Sequence, residues 1–353
     1  MQEAKPRKSK QIWQFVYIFA TLAIIVALGV ANPELAPLFH GELTVDGFWL
    51  ALCGAAMLGY WLLQACVYGY AGRMVGAPTS FLRSVSVTLF GEYYSALTPF
   101  SSGGQPMQLG YYRRYGVSLP KATSILAIRY IGYLGAVCLC FLTAFALEGR
   151  HILATFPLVF WLTTLGFAVN AFTLVMVVLL MIKPAMARSI GAWCIRTITR
   201  VRFLQKKREK WLAAYEHGIE EYTAAVACVR SHPGQCVVTL LLSLASVVSQ
   251  FSVTYFVYRA VGLTEATYAQ LFSMQIYLYL AVSFAPTPGA SGATEGGFYL
   301  FFAMLFPKTL LYSAMLLWRI FTYYSTLLVG AGMVIANEVR ALRRPAAATE
   351  KPE

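Results

Sequence analysis

Glu92, Arg129, Glu295 and Arg319 are the ionisable residues that fall inside the long apolar stretches of this chain. A charge at membrane depth costs about 3 kcal/mol or more unless it is paired or wetted, so such residues face a bundle interior or an aqueous cavity. Arg319 follows Lys308 by eleven residues, which at 1.5 Å per residue is roughly 17 Å and close to the midplane. Arg129 follows Lys121 by only eight, and its stem could still snorkel to headgroups. Two chemistries suit the set. Glu92 with Arg129 and Glu295 with Arg319 would form locks, and a paired guanidinium can exchange its carboxylate for a phosphate of similar geometry. Glu295 also suits proton or cation coupling.

The elements that carry these residues are interrupted. Leu97-Thr-Pro-Phe-Ser-Ser-Gly-Gly-Gln-Pro106 and Ala285-Pro-Thr-Pro-Gly-Ala-Ser-Gly-Ala-Thr-Glu295 cannot be continuous helix. Unwound backbone at membrane depth survives only where protein packs around it or where it lines a cavity. Gly103, Gly104, Gly289 and Gly292 permit tight turns and close approach of backbone to a ligand. Half-helices that start after the breaks would aim N–H groups at an anionic headgroup. The competing reading of the glycines is close helix packing. Pro99, Pro106, Pro286 and Pro288 favour a real break.

Apolar residues make up 58% of the 353 and charged residues 12%, far from a soluble domain. The expected fold is an all-α polytopic membrane protein with spans near 12–30, 47–71, 121–147, 157–182, 234–260 and 308–336, plus two broken hairpins over 80–112 and 268–306. The basic start, apolar core and Gly29-Val-Ala31 imitate a secretory signal, but the core exceeds the usual 7 to 15 residues, so an uncleaved first span is expected. Threading by positive residues places both termini in the cytoplasm, with 23 of the 28 Lys and Arg on that side. The net charge of +13 therefore reports topology and excludes a nucleic-acid partner. The seven cysteines contain no C-x-x-C pair and read as small apolar residues, not metal ligands or a disulfide framework. P-loop, G-x-S-x-G and H-E-x-x-H motifs are absent from the sequence, and no cofactor is expected.

The halves also repeat. Arg73-Met-Val-Gly76 closes one span and Arg259-Ala-Val-Gly262 another; Pro99 follows Gly76 by 23 residues and Pro286 follows Gly262 by 24. From those prolines, Arg129 arrives after 30 residues and Arg319 after 33. Cytoplasmic arginines flank the first hairpin, whereas Glu265 and Lys308, on the outside, flank the second. The expected copies, 47–147 and 234–336, are thus inverted, a recurrent transporter plan. Between them, 183–233 is a basic insertion in which Ile190, Trp193, Ile198, Val201 and Leu204 recur at helical spacing. It reads either as an interfacial helix on anionic lipid or as a positive-inside connector. Tyrosine pairs at 93/94, 111/112 and 323/324 line a cavity or sit at headgroup level. Residues 338–353 read as a flexible cytoplasmic tail.

Gly103-Gly104-Gln105-Pro106 followed by Tyr111-Tyr-Arg-Arg-Tyr-Gly116, Arg129, the run Pro286-x-Pro288-Gly289-x-x-Gly292-x-x-Glu295, and Arg319 together resemble the membrane region of the lysylphosphatidylglycerol synthase family, over about 12–337. The resemblance implies a flippase-like membrane domain. The two-part members add a soluble aminoacyltransferase domain, for which this sequence has no counterpart, so lysyltransferase activity is not expected of it. Other stand-alone relatives are associated with glycolipid and polyprenyl-linked sugar pathways. The expectation is translocation of an anionic phospholipid or glycolipid headgroup across the cell membrane, with Arg319, Arg129, Glu295, Glu92, Gly103, Gly104, Gln105, Pro286, Pro288, Gly289 and Gly292 as substrate-binding candidates. The alternatives are a membrane-embedded lipid-phosphate transferase using Glu92 or Glu295 as base, and a partner that organises lipid-modifying enzymes through the basic segment.

Overall fold

The computed structural model describes residues 45–155, 157–200 and 208–343. The expected first span at 12–30 and the segment 344–353 lie outside them. Among the described residues the chain is helical, without strands, and five helices are long and apolar enough to cross a membrane. They are α1 (Gly47–Met74), α4 (Leu119–Thr155), α5 (Pro157–Ile182), α8 (Pro233–Ala260) and the composite helix that starts with α11 (Lys308–Arg319). These match the five expected spans that lie in the described region. The protein is an all-α, multi-pass membrane protein.

Both broken segments are broken where proline and glycine predict. α2 (Phe81–Leu97) stops before a 3₁₀ turn, Pro99–Ser101, and α3 (Gly104–Arg114) resumes after it. In the second segment α9 (Tyr268–Val282) stops, a 3₁₀ turn forms at Pro288–Ala290, and α10 (Ala293–Phe302) follows. The two turns pack against each other. Each carries left-handed backbone at its second and third residues: Phe100 (φ 54°) and Ser101 (φ 53°), then Gly289 (φ 60°) and Ala290 (φ 52°).

That conformational match revises the register of the halves. Pro288, not Pro286, occupies the position of Pro99. Arg319 then follows its proline by 31 residues, against 30 for Arg129, a closer agreement than residue types alone provided.

α1 and α8 form the most extensive helix pair, and they run antiparallel. Asp46 N–H, at the start of α1, donates to Ala260 O at the end of α8 (2.9 Å). Further along, Ser249 Oγ donates to Ala56 O (2.7 Å) and Gln64 Nε2 to Ser246 Oγ (2.7 Å). Gly59 allows this approach, since a Cβ there would stand 2.9 Å from Ser249 Oγ. Both helices end alike, on left-handed Gly76 (φ 64°) and Gly262 (φ 84°), the αL termination that glycine favours. Antiparallel packing of helices with the same ending is the relation that inverted copies require.

The polar insertion forms a helical hairpin, α6 (Pro184–Ile198) against α7 (Arg208–Arg230), with α7 lying along α4. Arg188 Nε meets Glu216 at 3.1 Å, and Tyr215 donates its hydroxyl to Ala187 O at 2.8 Å. Burial, then the neighbouring Glu216, raise the Tyr215 phenol above its ordinary pKa, so it stays a neutral donor. Ile190 and Trp193 are exposed on α6. Ile198 ends α6, and Val201 and Leu204 of the expected apolar stripe lie outside the described residues.

A π-helical turn, Ile320–Tyr324, follows Arg319 directly and joins α11 to α12 (Ser325–Arg343). Such turns shift the side-chain phase of a helix and concentrate at functional sites. α12 packs across onto α2, while α9 packs onto α4 and α5. Each broken hairpin is therefore braced by helices from the other half of the chain.

Candidate functional site

Arg129 sits near the start of α4, where α1 and α2 converge on it. Its Nη2 contacts Glu92 Oε1 at 3.2 Å and its Nε donates to Gln64 Oε1 at 2.9 Å. Tyr60 donates its hydroxyl to the same Glu92 oxygen at 2.9 Å. The guanidinium lies 4.9 Å from the centroid of Tyr133. Gln64 passes the network on to Ser246 of α8, and Ser246 donates to Ser243 O at 2.7 Å. A charge-assisted cluster inside the bundle thus links α1, α2, α4 and α8, and it is satisfied in the way burial demands.

Arg319 closes α11 and is more deeply enclosed, its side chain 5% exposed against 16% for Arg129. Its Nη2 meets Glu295 Oε1 at 2.7 Å, and Nη1 and Nη2 point at Gly289 O at 3.4 and 3.5 Å. Tyr323, one turn on, places its ring 5.1 Å from the guanidinium. Glu295 gives its other oxygen to Gly292 N–H at 2.6 Å, capping α10. The positive φ of Gly292, 86°, aims that N–H. Arg319 Nε is buried without a protein partner. An orphaned guanidinium N–H is costly inside a membrane domain.

The two clusters open onto one cavity of about 580 Å³. Of the eleven candidates, Glu92, Arg129, Gln105, Gly289 and Arg319 line it. Glu295 stands behind Arg319, joined by the ion pair. Gly103 and Gly104 are turned elsewhere. A Cβ on Gly104 would come within 2.6 Å of Gly91 O, and Gly103 N–H is taken by Thr98 Oγ1 at 2.8 Å. These glycines let α3 fold back tightly on α2, and so they act on the site through packing. Pro286, Pro288 and Gly292 shape the second turn without lining the cavity. The half-helix N-termini are occupied from within the protein, by Thr98 and Glu295.

The tyrosine pairs divide. Tyr323 lines the cavity, whereas Tyr111 and Tyr112 are core residues on the buried face of α3. Tyr93, Tyr323, Tyr324 and Leu327 form a small cluster between α2 and the π turn.

Polar residues with no charge complete the lining: Gln108, Asn170, Gln250 and Gln275, with Tyr60, Tyr68, Tyr130 and Tyr279. Most are single amides or phenols within an apolar run, where hydropathy hides them, whereas Gln108 lies with Gln105 on the polar α3. A register signal existed, because Gln64 precedes Arg73 by nine residues and Gln250 precedes Arg259 by nine. Both amides reach the interior of the bundle, Gln64 on Arg129 and Gln250 at the cavity wall.

Comparison with known proteins agrees with this architecture. A UPF0104 membrane protein of Archaeoglobus fulgidus is 26% identical over 296 residues, covering 80% of this chain and 85% of its own length. The sequence profile of the lysylphosphatidylglycerol synthase TM region matches residues 12–330, which takes in both clusters and both turns. The chain therefore belongs to the family defined by the lysylphosphatidylglycerol synthase TM region.

Proposed function

We propose that the protein translocates an anionic phospholipid, or a related lipid-linked headgroup, across the cell membrane without altering a covalent bond. The observation that carries this reading is the joint exposure of Arg129 and Arg319, one from each half of the chain, to a single cavity bounded by the paired turns. The headgroup phosphate enters between the guanidiniums while its acyl chains stay in lipid. Arg319 holds it from the cavity wall, with Glu295 keeping the guanidinium oriented. The halves act as inverted copies, and rocking of one against the other opens the cavity to either side in turn. Both termini lie in the cytoplasm.

Translocation of a fluorescent phosphatidylglycerol by the full chain in liposomes tests the proposal. Arg319→Lys retains the charge and loses the planar fork; it is expected to slow transport tenfold or more, with Arg129→Lys slowed less. Full rates in a folded Arg319→Lys and Arg319→Ala would refute the mechanism. Covalently changed lipid after incubation with an activated donor would instead identify a transferase.

A further inference from the structure

We propose that the exposed face of α6 rests on the anionic surface of the membrane leaflet at which α5 ends, with Trp193 at headgroup depth and Arg196 among the phosphates. This contact stands or falls independently of transport through the central cavity.

α6 starts where a span stops. α5 has 26 residues, roughly 39 Å of helix, which exceeds a hydrocarbon core of about 30 Å and brings its end to the headgroups. Only Lys183, with non-helical φ −115° and ψ 81°, separates that end from Pro184 at the first position of α6. At 15 residues, roughly 22 Å, α6 is too short to cross the core a second time. α7 takes one of its faces. Tyr215 donates to Ala187 O, a Cβ on Gly191 would overlap the Tyr215 ring, and Arg188 at the border pairs with Glu216. Ser189, Trp193 and Arg196 recur at i, i+4 and i+7 on the opposite face, and all three are exposed.

Charge indicates what covers that face. From 183 to 200 the chain carries Lys183, Arg188, Arg196 and Arg200 and no acidic residue. The acidic residues of the helical hairpin, Glu209, Glu216, Glu220 and Glu221, all belong to α7. Basic residues next to a span are drawn to anionic headgroups, within the reach that salt screening allows. Trp193 is 65% exposed, and Ile190 beside it 38%. Tryptophan concentrates at headgroup level because its ring is apolar and its N–H polar. Basic residues combined with such a ring on one helix are the mark of helices that lie in the interface. Arg196 can lay its stem on the apolar layer and keep its guanidinium at the phosphates. A connector that only fixes topology needs the positive charge; it leaves the exposed ring about one turn from Arg196 unexplained.

The test follows a fluorophore on that face, in the full chain with its seven cysteines replaced by alanine. Ser189→Cys, labelled with the environment-sensitive NBD group, is studied in phosphatidylcholine nanodiscs with and without added phosphatidylglycerol. Quenching by aqueous acrylamide is expected to fall at least about threefold when phosphatidylglycerol is added, and quenching by nitroxide-labelled lipid to rise. High salt should reverse both changes. Arg196→Glu with Arg200→Glu should return acrylamide access in the anionic nanodisc to the level seen in phosphatidylcholine. Thr197→Cys reports the same side of α6, should labelled Ser189→Cys fail to fold. Equal shielding in the two nanodiscs, or shielding that neither salt nor the paired charge reversal removes, overturns the inference. Full acrylamide access in both nanodiscs assigns the face to water or to a soluble partner, and overturns it as well.

Discussion

Three demands meet at Gly289. Its backbone is left-handed (φ 60°), its carbonyl oxygen receives both terminal nitrogens of Arg319, and a Cβ would overlap the ring of Tyr323. Gly289→Ala therefore adds backbone strain of about 1 kcal/mol or more and pushes Tyr323 off the guanidinium. Transport in liposomes should fall at least tenfold, with a thermal midpoint lowered by a few degrees. The next residue makes the opposite case. Ala290 holds φ 52° with a side chain that disfavours it, so Ala290→Gly should leave the thermal midpoint unchanged or raise it. A loss of stability in Ala290→Gly equal to that in Gly289→Ala would show that φ does not explain the glycine.

Among the elements, α1 and α8 decide whether the cavity has walls. Gln64, Tyr60 and Tyr68 reach the first cluster from α1, and Gln250 reaches the cavity from α8. Their close approach depends on Gly59. Gly59→Leu forces the backbones apart, an overpacking that costs about 1 to 3 kcal/mol. The thermal midpoint should drop, and Arg129-dependent transport should fall with it, although residue 59 lies outside the cavity lining. Undiminished stability would mean that the pair is held elsewhere.

The same elements mark what was readable beforehand. The broken segments were legible because proline and glycine exclude a continuous helix whatever surrounds them, and the two ion pairs because a lone charge in an apolar run demands a partner. The pairing of Pro99 with Pro288 was hidden, since it is a likeness of φ and ψ and the sequence offers two prolines two residues apart. By residue type alone Gly103 and Gly104 are candidates for facing a ligand. Their packing role follows from how α3 folds back on α2, a tertiary fact that no local pattern encodes.

At the scale of the whole molecule, the proposed alternation draws on inverted halves, and the antiparallel α1 and α8 make that inversion testable. Arg113 closes the first broken segment and is exposed; Glu265 opens the second and is exposed. Arg113 and Arg114 stand at the first place with no acidic residue beside them, whereas Glu265 offsets Arg259 at the second, so the two should lie on opposite faces of the membrane, Arg113 inside and Glu265 outside. In a background with the seven cysteines replaced by alanine, Arg113→Cys should react with an impermeant maleimide only in inside-out vesicles, and Glu265→Cys only in right-side-out ones. Labelling of both from one side would break the inverted relation. It would also take away the inverted symmetry on which the proposed rocking of the two halves about Arg129 and Arg319 rests.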